Sequence, residues 1–437
     1  MTSHTGPMHK YVIEGGFPIK GRIRASGNKN AALPCIAATI LAGEPVILRN
    51  IPEIEDVLVM FEVLRGIGAL VERLGPNDWR VDPRPIERWE VPADLARKVR
   101  ASILFAGPLL ARFGKVTLAP PGGDVIGRRR VDTHLLALEE LGARVEIDRV
   151  FRFTANKLVG ADIFLDEASV TGTENAVMAA TKAEGTSVIR NAASEPHVQD
   201  LCRLLVAMGA KIDGIGSNVL RIEGPREGDR FELGGADFSI GPDYMEIGSF
   251  VGLTAVTRGE LVIEGVEPED LRPLKVGFGR LGIQWELSGR ELSIPSGQTM
   301  KVVSDLGGQI PKIDDAPWPG FPPDLTSIMA VVATQTDGTV LIHEKMFESR
   351  MFWVDKLIGM GARIVLCDPH RAVIAGPVRL TASDLSSPDV RAGMAMVIAA
   401  LCAEGTSTIS NVYQIERGYE RIIDRLKTLG AHVTSVE

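Results

Sequence analysis

Three kinds of hydrophobic pattern follow one another along this chain in a fixed order. One is a run apolar at nearly every position and rich in Ala, Leu, Met and Gly. The second is a short β-prone run opened by a glycine. The third is an amphipathic run that ends on another glycine and passes into an alternating strand. The β-prone runs follow Gly43, Gly114, Gly185, Gly259, Gly338 and Gly405, as in GEPVIL and GTVLI. The second glycines are Gly68, Gly142, Gly209, Gly282, Gly361 and Gly430, as in GALVE and GARVE. The two glycines of a pair stand 23 to 28 residues apart and pairs begin about every 70 residues, so one module is repeated six times.

In the sixth unit Tyr419, Ile422, Ile423, Leu426 and Leu429 fall on one helical face, with Glu420, Arg421, Asp424, Arg425 and Lys427 elsewhere. This predicts an amphipathic helix that a left-handed glycine ends before a strand. The all-apolar segments are Ala31 to Leu41, Ala101 to Ala111, Ala176 to Ala183, Glu246 to Val256, Leu325 to Thr334 and Gly393 to Ala403. A helix apolar on every face must be surrounded by protein, and these are too short and interrupted to span a bilayer. Each unit therefore reads as buried helix, strand, amphipathic helix, strand. Six units make two domains, because a single core stops growing near about 250–300 residues. The boundary is expected at Gly241-Pro242-Asp243. Residues 29–241 would form a first domain from repeats one to three, carrying the loop 120–134, and 1–28 with 242–437 a second from repeats four to six. The N-terminal strand, Tyr11 to Ile19, is expected to pair in the second domain, which gives two chain crossings at one hinge.

Composition narrows the class. Lys+Arg 48 against Asp+Glu 56 gives −8, so nothing suggests nucleic acid or an anionic membrane surface. Cys35, Cys202, Cys367 and Cys402 have no paired spacing and fall in predicted helices or strands, which reads as buried reduced thiols. The first ten residues are polar, with no signal-peptide core, and a cytoplasmic protein is expected. Nothing implies an oligomer.

Candidate chemistry collects just before the buried helices. The approaches are Ser26-Gly27-Asn28-Lys29-Asn30, Arg100-Ala101-Ser102, Thr171-Gly172-Thr173-Glu174-Asn175, Pro242-Asp243, Pro323-Asp324 and Pro388-Asp389-Val390-Arg391. Parallel inner helices would bring their positive ends to one mouth, a setting for anions. Asp243 and Asp389 read equally well as plain caps. Lys29, Arg100 and Arg391 do not, because a cation beside a helix N-terminus needs an anion to offset it. The loop Pro120 to His134 adds Gly122, Gly123 and Gly127 for close backbone approach and Arg128, Arg129 and Arg130 for bidentate anion binding. A solvated charge run is the plainer account of the arginines, and His134 reads as a helix-side hydrogen bonder.

These phrases together resemble the enolpyruvyl transferases, in the branch that uses a UDP-sugar. The matching stretches, in order, are SGNKNAALP, VRASILFAGPLLARFG, PGGDVIGRRRVDTH, FPPDL, FESRM, DVRAG and IERGYERI. The resemblance implies an α/β fold of two inside-out α/β barrel domains. It implies transfer of the enolpyruvyl group of phosphoenolpyruvate to the 3-hydroxyl of UDP-N-acetylglucosamine with release of phosphate, the first committed step of peptidoglycan precursor synthesis. No metal and no cofactor are implied. Lys29 and Arg417 would hold phosphoenolpyruvate, with Arg391 and Arg129 nearby. Asn30, Arg100, Arg129, Val131, Asp132, Ser169, Val170, Asp324 and Met346 would contact the UDP-sugar. Asp324 would take the proton of the 3-hydroxyl, and Arg350 would stand near it. Asp124 occupies the position where many members carry a catalytic cysteine and others an aspartate. A carboxylate is not alkylated as a thiol is, so insensitivity to fosfomycin is expected. Arg130 stands where the family usually has proline, Thr133 where it often has leucine, and Tyr244 where it has arginine. The stretch Asp305 to Pro319 is longer than usual. Two other readings are transfer to shikimate 3-phosphate and a non-catalytic UDP-sugar-binding paralogue. The PGGDVIG…RVDTH loop speaks against the first. The joint presence of Lys29, Asp124, Asp324, Arg391 and Arg417 speaks against the second.

Overall fold

The computed structural model describes residues 9–122, 130–226 and 232–436. The described chain forms two compact units, one of residues from 26 to 241 and one of 9–25 with 242–436. Each has its own apolar core.

All six expected inner helices form. They are Lys29–Ala38, Ala106–Phe113 preceded by the 3-10 turn Arg100–Phe105, Val170–Ala180, Tyr244–Val256, Thr326–Thr334 and Val390–Cys402. Every residue of Tyr244–Val256 and of Thr326–Thr334 is buried, as their lack of a polar face requires. Small residues let them approach closely. A Cβ on Gly248 would meet Leu325 Cδ1 at 2.5 Å, and one on Gly252 would meet Ile328 Cγ2 at 2.6 Å. The amphipathic helices end as the pattern predicts. Gly68, at φ 114°, closes Glu55–Ile67 and donates its N–H to the carbonyls of Arg65 and Leu64. The five glycines matching it are left-handed too.

Each repeat builds one open sheet. In the third, fifth and sixth repeats a short strand leads into the inner helix, and the strand that follows the helix pairs parallel to it. Two antiparallel strands complete the sheet, as in Asp162–Phe164, Thr186–Arg190, Val219–Glu223 and Lys211–Asp213. The sheet of Lys115–Leu118, Phe151–Thr154 and Arg144–Ile147 has three named strands. No sheet among the described residues closes on itself, so the barrel of the expectation is three separate sheets around packed helices in each unit.

Two edge strands are exchanged. Lys20–Arg24 precedes the first inner helix but pairs with Glu260–Glu264 of the fourth repeat. Asp237–Ser239 precedes the fourth inner helix but pairs with Val46–Arg49 of the first. The two crossings are held side by side where the Asn28 N–H donates to the Gly241 carbonyl at 2.9 Å. The strand expected over Tyr11 to Ile19 is shorter, Lys10–Glu14, and a second strand, Lys20–Arg24, begins just beyond it. The break falls at Gly15-Gly16, where Gly16 takes φ 89° and a Cβ on Gly15 would strike the Ala400 carbonyl oxygen at 2.2 Å. Lys10–Glu14 lies between Thr406–Ser410 and His432–Val436, pairing with both. Among the cysteines, Cys35 and Cys202 are buried but Cys367 is exposed, because Arg363–Asp368 is an edge strand whose alternate residues face solvent. No described helix is long and apolar enough to cross a membrane.

Candidate active site

In the 242–436 unit three inner-helix beginnings meet. Asp243 and Asp389 are caps: each accepts two backbone N–H groups, from Met245 and Glu246 and from Arg391 and Ala392. Asp324 is used differently. Its Oδ1 pairs with Arg350 Nη1 and its Oδ2 with Arg391 Nε, both at 2.8 Å. Arg391 also reaches Met245 Sδ at 3.4 Å and lies 5.3 Å from the Tyr419 ring centre. Burial by itself would push the Asp324 carboxyl up, but the charges of Arg350 and Arg391 outweigh it and hold the acid well below the usual carboxylate range. Among the described residues, no hydrogen-bond acceptor meets the buried Arg391 Nη1 or Arg350 Nε. Leaving a buried donor unmet costs about 1–3 kcal/mol, and an anionic guest would recover it.

Arg350 sits in the segment after the strand Gly338–His343, with its guanidinium 4.7 Å from the Phe347 ring centre. Met346, in the same segment, is 38% exposed. Arg417 is buried at the end of the short helix Tyr413–Glu416, and its Nη1 donates to Gln414 Oε1 at 2.9 Å. The neighbouring Glu416 is held by the Tyr11 hydroxyl at 2.7 Å and by His9. Tyr244 is buried and packs on Trp318, with ring centres 5.5 Å apart.

In the 26–241 unit Lys29 and Asn30 open the first inner helix, capped by Asn28. Lys29 Nζ pairs with Asp56 Oδ2 at 2.7 Å, both side chains largely buried. The anion expected to offset Lys29 is therefore supplied by the chain itself. Arg100 donates to the Arg130 carbonyl at 2.9 Å. Arg130 pairs with Asp132 and Asp166, and the Thr133 hydroxyl donates to Asp166 at 2.6 Å. Val131 precedes and Asp132 opens the helix Asp132–Glu140, while Ser169 caps the third inner helix, which Val170 opens. His134 is indeed a hydrogen bonder. Asn175 Nδ2 donates to its Nδ1 at 2.7 Å, so its Nε2–H faces Thr171 Oγ1 at 3.0 Å. Burial, and then the Arg100 charge, lower the ring to about 3, which keeps it neutral. Hydrogen bonds link Arg100 through Arg130 to Asp132, and His134 links the helix that Asp132 opens to Thr171, in the first turn of the helix that Ser169 caps and Val170 opens; the Lys29 helix packs against the helical segments of Arg100 and Val170. Asp124 and Arg129 lie outside the described residues.

Pattern reading missed Asp56, Asp166, Asp315, Glu344 and Tyr419. Glu344 had a usable signal, because the alternation that buries Val340 and Ile342 carries it into the same register. Asp56 and Asp166 had none, being ordinary acids beside a helix start and a loop.

An α/β repeat fold with an acid clamped between two buried arginines at meeting helix starts is the kind of setting in which an enzyme handles an anionic substrate. A family model described as EPSP synthase (3-phosphoshikimate 1-carboxyvinyltransferase) matches residues 13–426, and the chain belongs to this family. Within it the chain is 67% identical over 98% of its length to a Treponema denticola protein named UDP-N-acetylglucosamine 1-carboxyvinyltransferase, 99% of which is covered. It is 62% identical, over 98% of this chain and 99% of the relative, to a protein of the same name from Treponema pallidum. The enolpyruvyl transferase NikO from Streptomyces tendae superposes with a TM-score of 0.86 at 24% identity, covering 98% of this chain and 99% of that one, which establishes the shared fold.

Proposed function

We propose that this enzyme transfers the enolpyruvyl group of phosphoenolpyruvate to the 3-hydroxyl of UDP-N-acetylglucosamine and releases phosphate. The observation that carries the reading is full-length identity of 67% to a relative bearing that activity's name. In the scheme an acid, for which Asp124 is the candidate, protonates C3 of phosphoenolpyruvate and leaves C2 with oxocarbenium character. The sugar 3-hydroxyl, losing its proton to Asp324, attacks C2 to give a tetrahedral phospholactyl adduct. Loss of a C3 proton and of phosphate then gives the enolpyruvyl ether. Lys29, Arg391 and Arg417, with Arg129, would neutralise phosphate and carboxylate. Asn30, Arg100, Val131, Asp132, Ser169, Val170 and Met346 would hold the UDP-sugar, with Arg350 steadying Asp324.

The geometry supports a linked event. Asp324 is a weak base while both arginines hold it. An anionic substrate that draws Arg391 toward itself raises the proton affinity of Asp324 at the moment the hydroxyl needs a base. The two-domain division at 29–241 and 242–437, cytoplasmic location and supply of peptidoglycan precursors belong to the same reading. Following inorganic phosphate from phosphoenolpyruvate with each acceptor tests it. Release with UDP-N-acetylglucosamine is expected. Release only with shikimate 3-phosphate would transfer the protein to the other acceptor, and UDP-sugar binding with no release would make it a non-catalytic binder.

A further inference from the structure

Behind Asp324 lie two more acids, Glu344 and Asp315, both 0% exposed. Asp315 follows the strand Lys312–Asp314 and accepts the backbone N–H groups of Lys345, through Oδ1, and of Met346, through Oδ2 at 3.2 Å. Glu344 Oε2 accepts from the Thr326 hydroxyl at 2.6 Å. Its Oε1 meets no donor among the described residues, and the carboxyl beside it is that of Asp315, which bonds the residues on both sides of Glu344, His343 and Lys345. Two carboxylates facing each other in a dry interior repel unless a proton lies between them. Asp315 already takes two N–H groups, so the proton belongs on Glu344. Burial, against the pull of Arg350, and then the presence of Asp315 push the Glu344 carboxyl up to about 8.

We propose that Asp315 and Glu344 are positioning residues for the transfer reaction, a carboxyl pair holding one proton that ties the Asp324 segment to the Arg350 segment. Thr326, which Glu344 holds, stands two residues after Asp324, and its one hydroxyl hydrogen is shared with the Pro323 carbonyl, an oxygen that Arg350 Nη1 reaches at 3.1 Å. The N–H groups that Asp315 holds begin the turn leading to Arg350. A neutral Glu344 leaves Asp324 as the carboxylate that Arg350 pairs with. An ionised Glu344 competes for that guanidinium and repels Asp315. His343, the residue before Glu344, also feels Asp315 and Asp314, but burial and then the Arg371 charge lower its ring, so it stays neutral through the alkaline range. The remaining charged groups are matched elsewhere. His370 Nδ1 is spent on the Glu344 carbonyl at 2.7 Å, Asp314 is matched by Lys312 and Lys345, Arg371 by Asp368, and Asp389 faces Arg350.

The turnover readout rests on the proposed reaction; the spectroscopic one does not. Glu344→Gln keeps an acceptor for Thr326 and offers Asp315 an N–H that does not titrate. Expected for Glu344→Gln at neutral pH is a kcat within about three-fold of wild type, with the alkaline limb of the kcat profile displaced upward by about one pH unit or more. Glu344→Ala, which opens the tie, is expected to lower kcat at least about ten-fold while both KM values stay within about three-fold. An alkaline limb identical in wild type and Glu344→Gln would overturn the proposal. Should the variants not fold, infrared titration of the wild-type protein decides. Loss of one carboxylic-acid carbonyl band as pH rises through about 8 supports the pair, and no such loss overturns it. Absence of phosphate release by the wild type with either acceptor would count against the reaction and leave the infrared result standing.

Discussion

A carboxylate between two buried guanidinium groups is strongly ionised, and removing its charge strands two cations. Asp324→Asn is therefore expected to act twice. It lowers kcat by about 10²–10⁴ through loss of the base, and it destabilises the fold by about 3–5 kcal/mol because Arg350 and Arg391 are left buried beside a neutral amide. Phosphate release and thermal melts separate the two effects. With a folded value held down, the Asp324 contribution is present above the ordinary carboxylate range and is lost on acidification below it. Asp124 stands among arginines in sequence, which depress an acid until substrate charge counters them. Asp124→Asn should cut kcat strongly with UDP-sugar affinity nearly intact, and fosfomycin should leave no covalent adduct in a mass spectrum of the wild type. Unchanged turnover would remove Asp124 from the mechanism, and stoichiometric labelling would contradict the expected insensitivity to fosfomycin. His134 works in the opposite sense to a paired acid. Its ring is neutral in the folded protein down to about 3, whereas an unfolded histidine takes a proton near 6.5. Below that ordinary value the unfolded chain binds more protons, so stability falls with pH at up to about 1.4 kcal/mol per unit. Urea midpoints at neutral and mildly acidic pH should show that slope in wild type and a shallower one in His134→Gln.

At the scale of elements, the inner helices trade side-chain bulk for proximity. Gly107 lies where a Cβ would meet the Asn175 backbone oxygen at 2.6 Å, and its N–H donates to Asn175 Oδ1 at 2.8 Å. Gly107→Ala pushes two inner helices apart and is expected to cost about 1–3 kcal/mol, read as a lowered Tm with little change in far-UV circular dichroism. The six inner helices were legible because nothing but burial explains a helix with no polar face. Their beginnings were less so. The third starts at Val170, not Ala176, because the polar side chains of Thr173, Glu174 and Asn175 are buried. Thr173 accepts the Ala193 N–H, and Asn175 is satisfied by Ile103 and His134, partners remote in sequence.

For the molecule as a whole, the N-terminal segment closes what the C-terminal repeat leaves open. Without Lys10–Glu14, the strands Thr406–Ser410 and His432–Val436 have no shared partner, and Glu416, beside Arg417, loses Tyr11. Deleting residues 1–14 should abolish turnover and lower Tm markedly, whereas deleting residues 1–8 alone should leave the ladder intact; phosphate release and melting check both. The six-fold module and its helix ends follow from the chain's periodicity, because glycine geometry and apolar spacing are local demands that each repeat states for itself. The exchange of Lys20–Arg24 and Asp237–Ser239 between repeats, the Asp56 partner of Lys29 and the proton between Asp315 and Glu344 were decided only by tertiary structure. Hydrogen-bond edges, ion pairs and buried acids are settled by whichever group folding brings within a few ångströms, and no local pattern records which one that is.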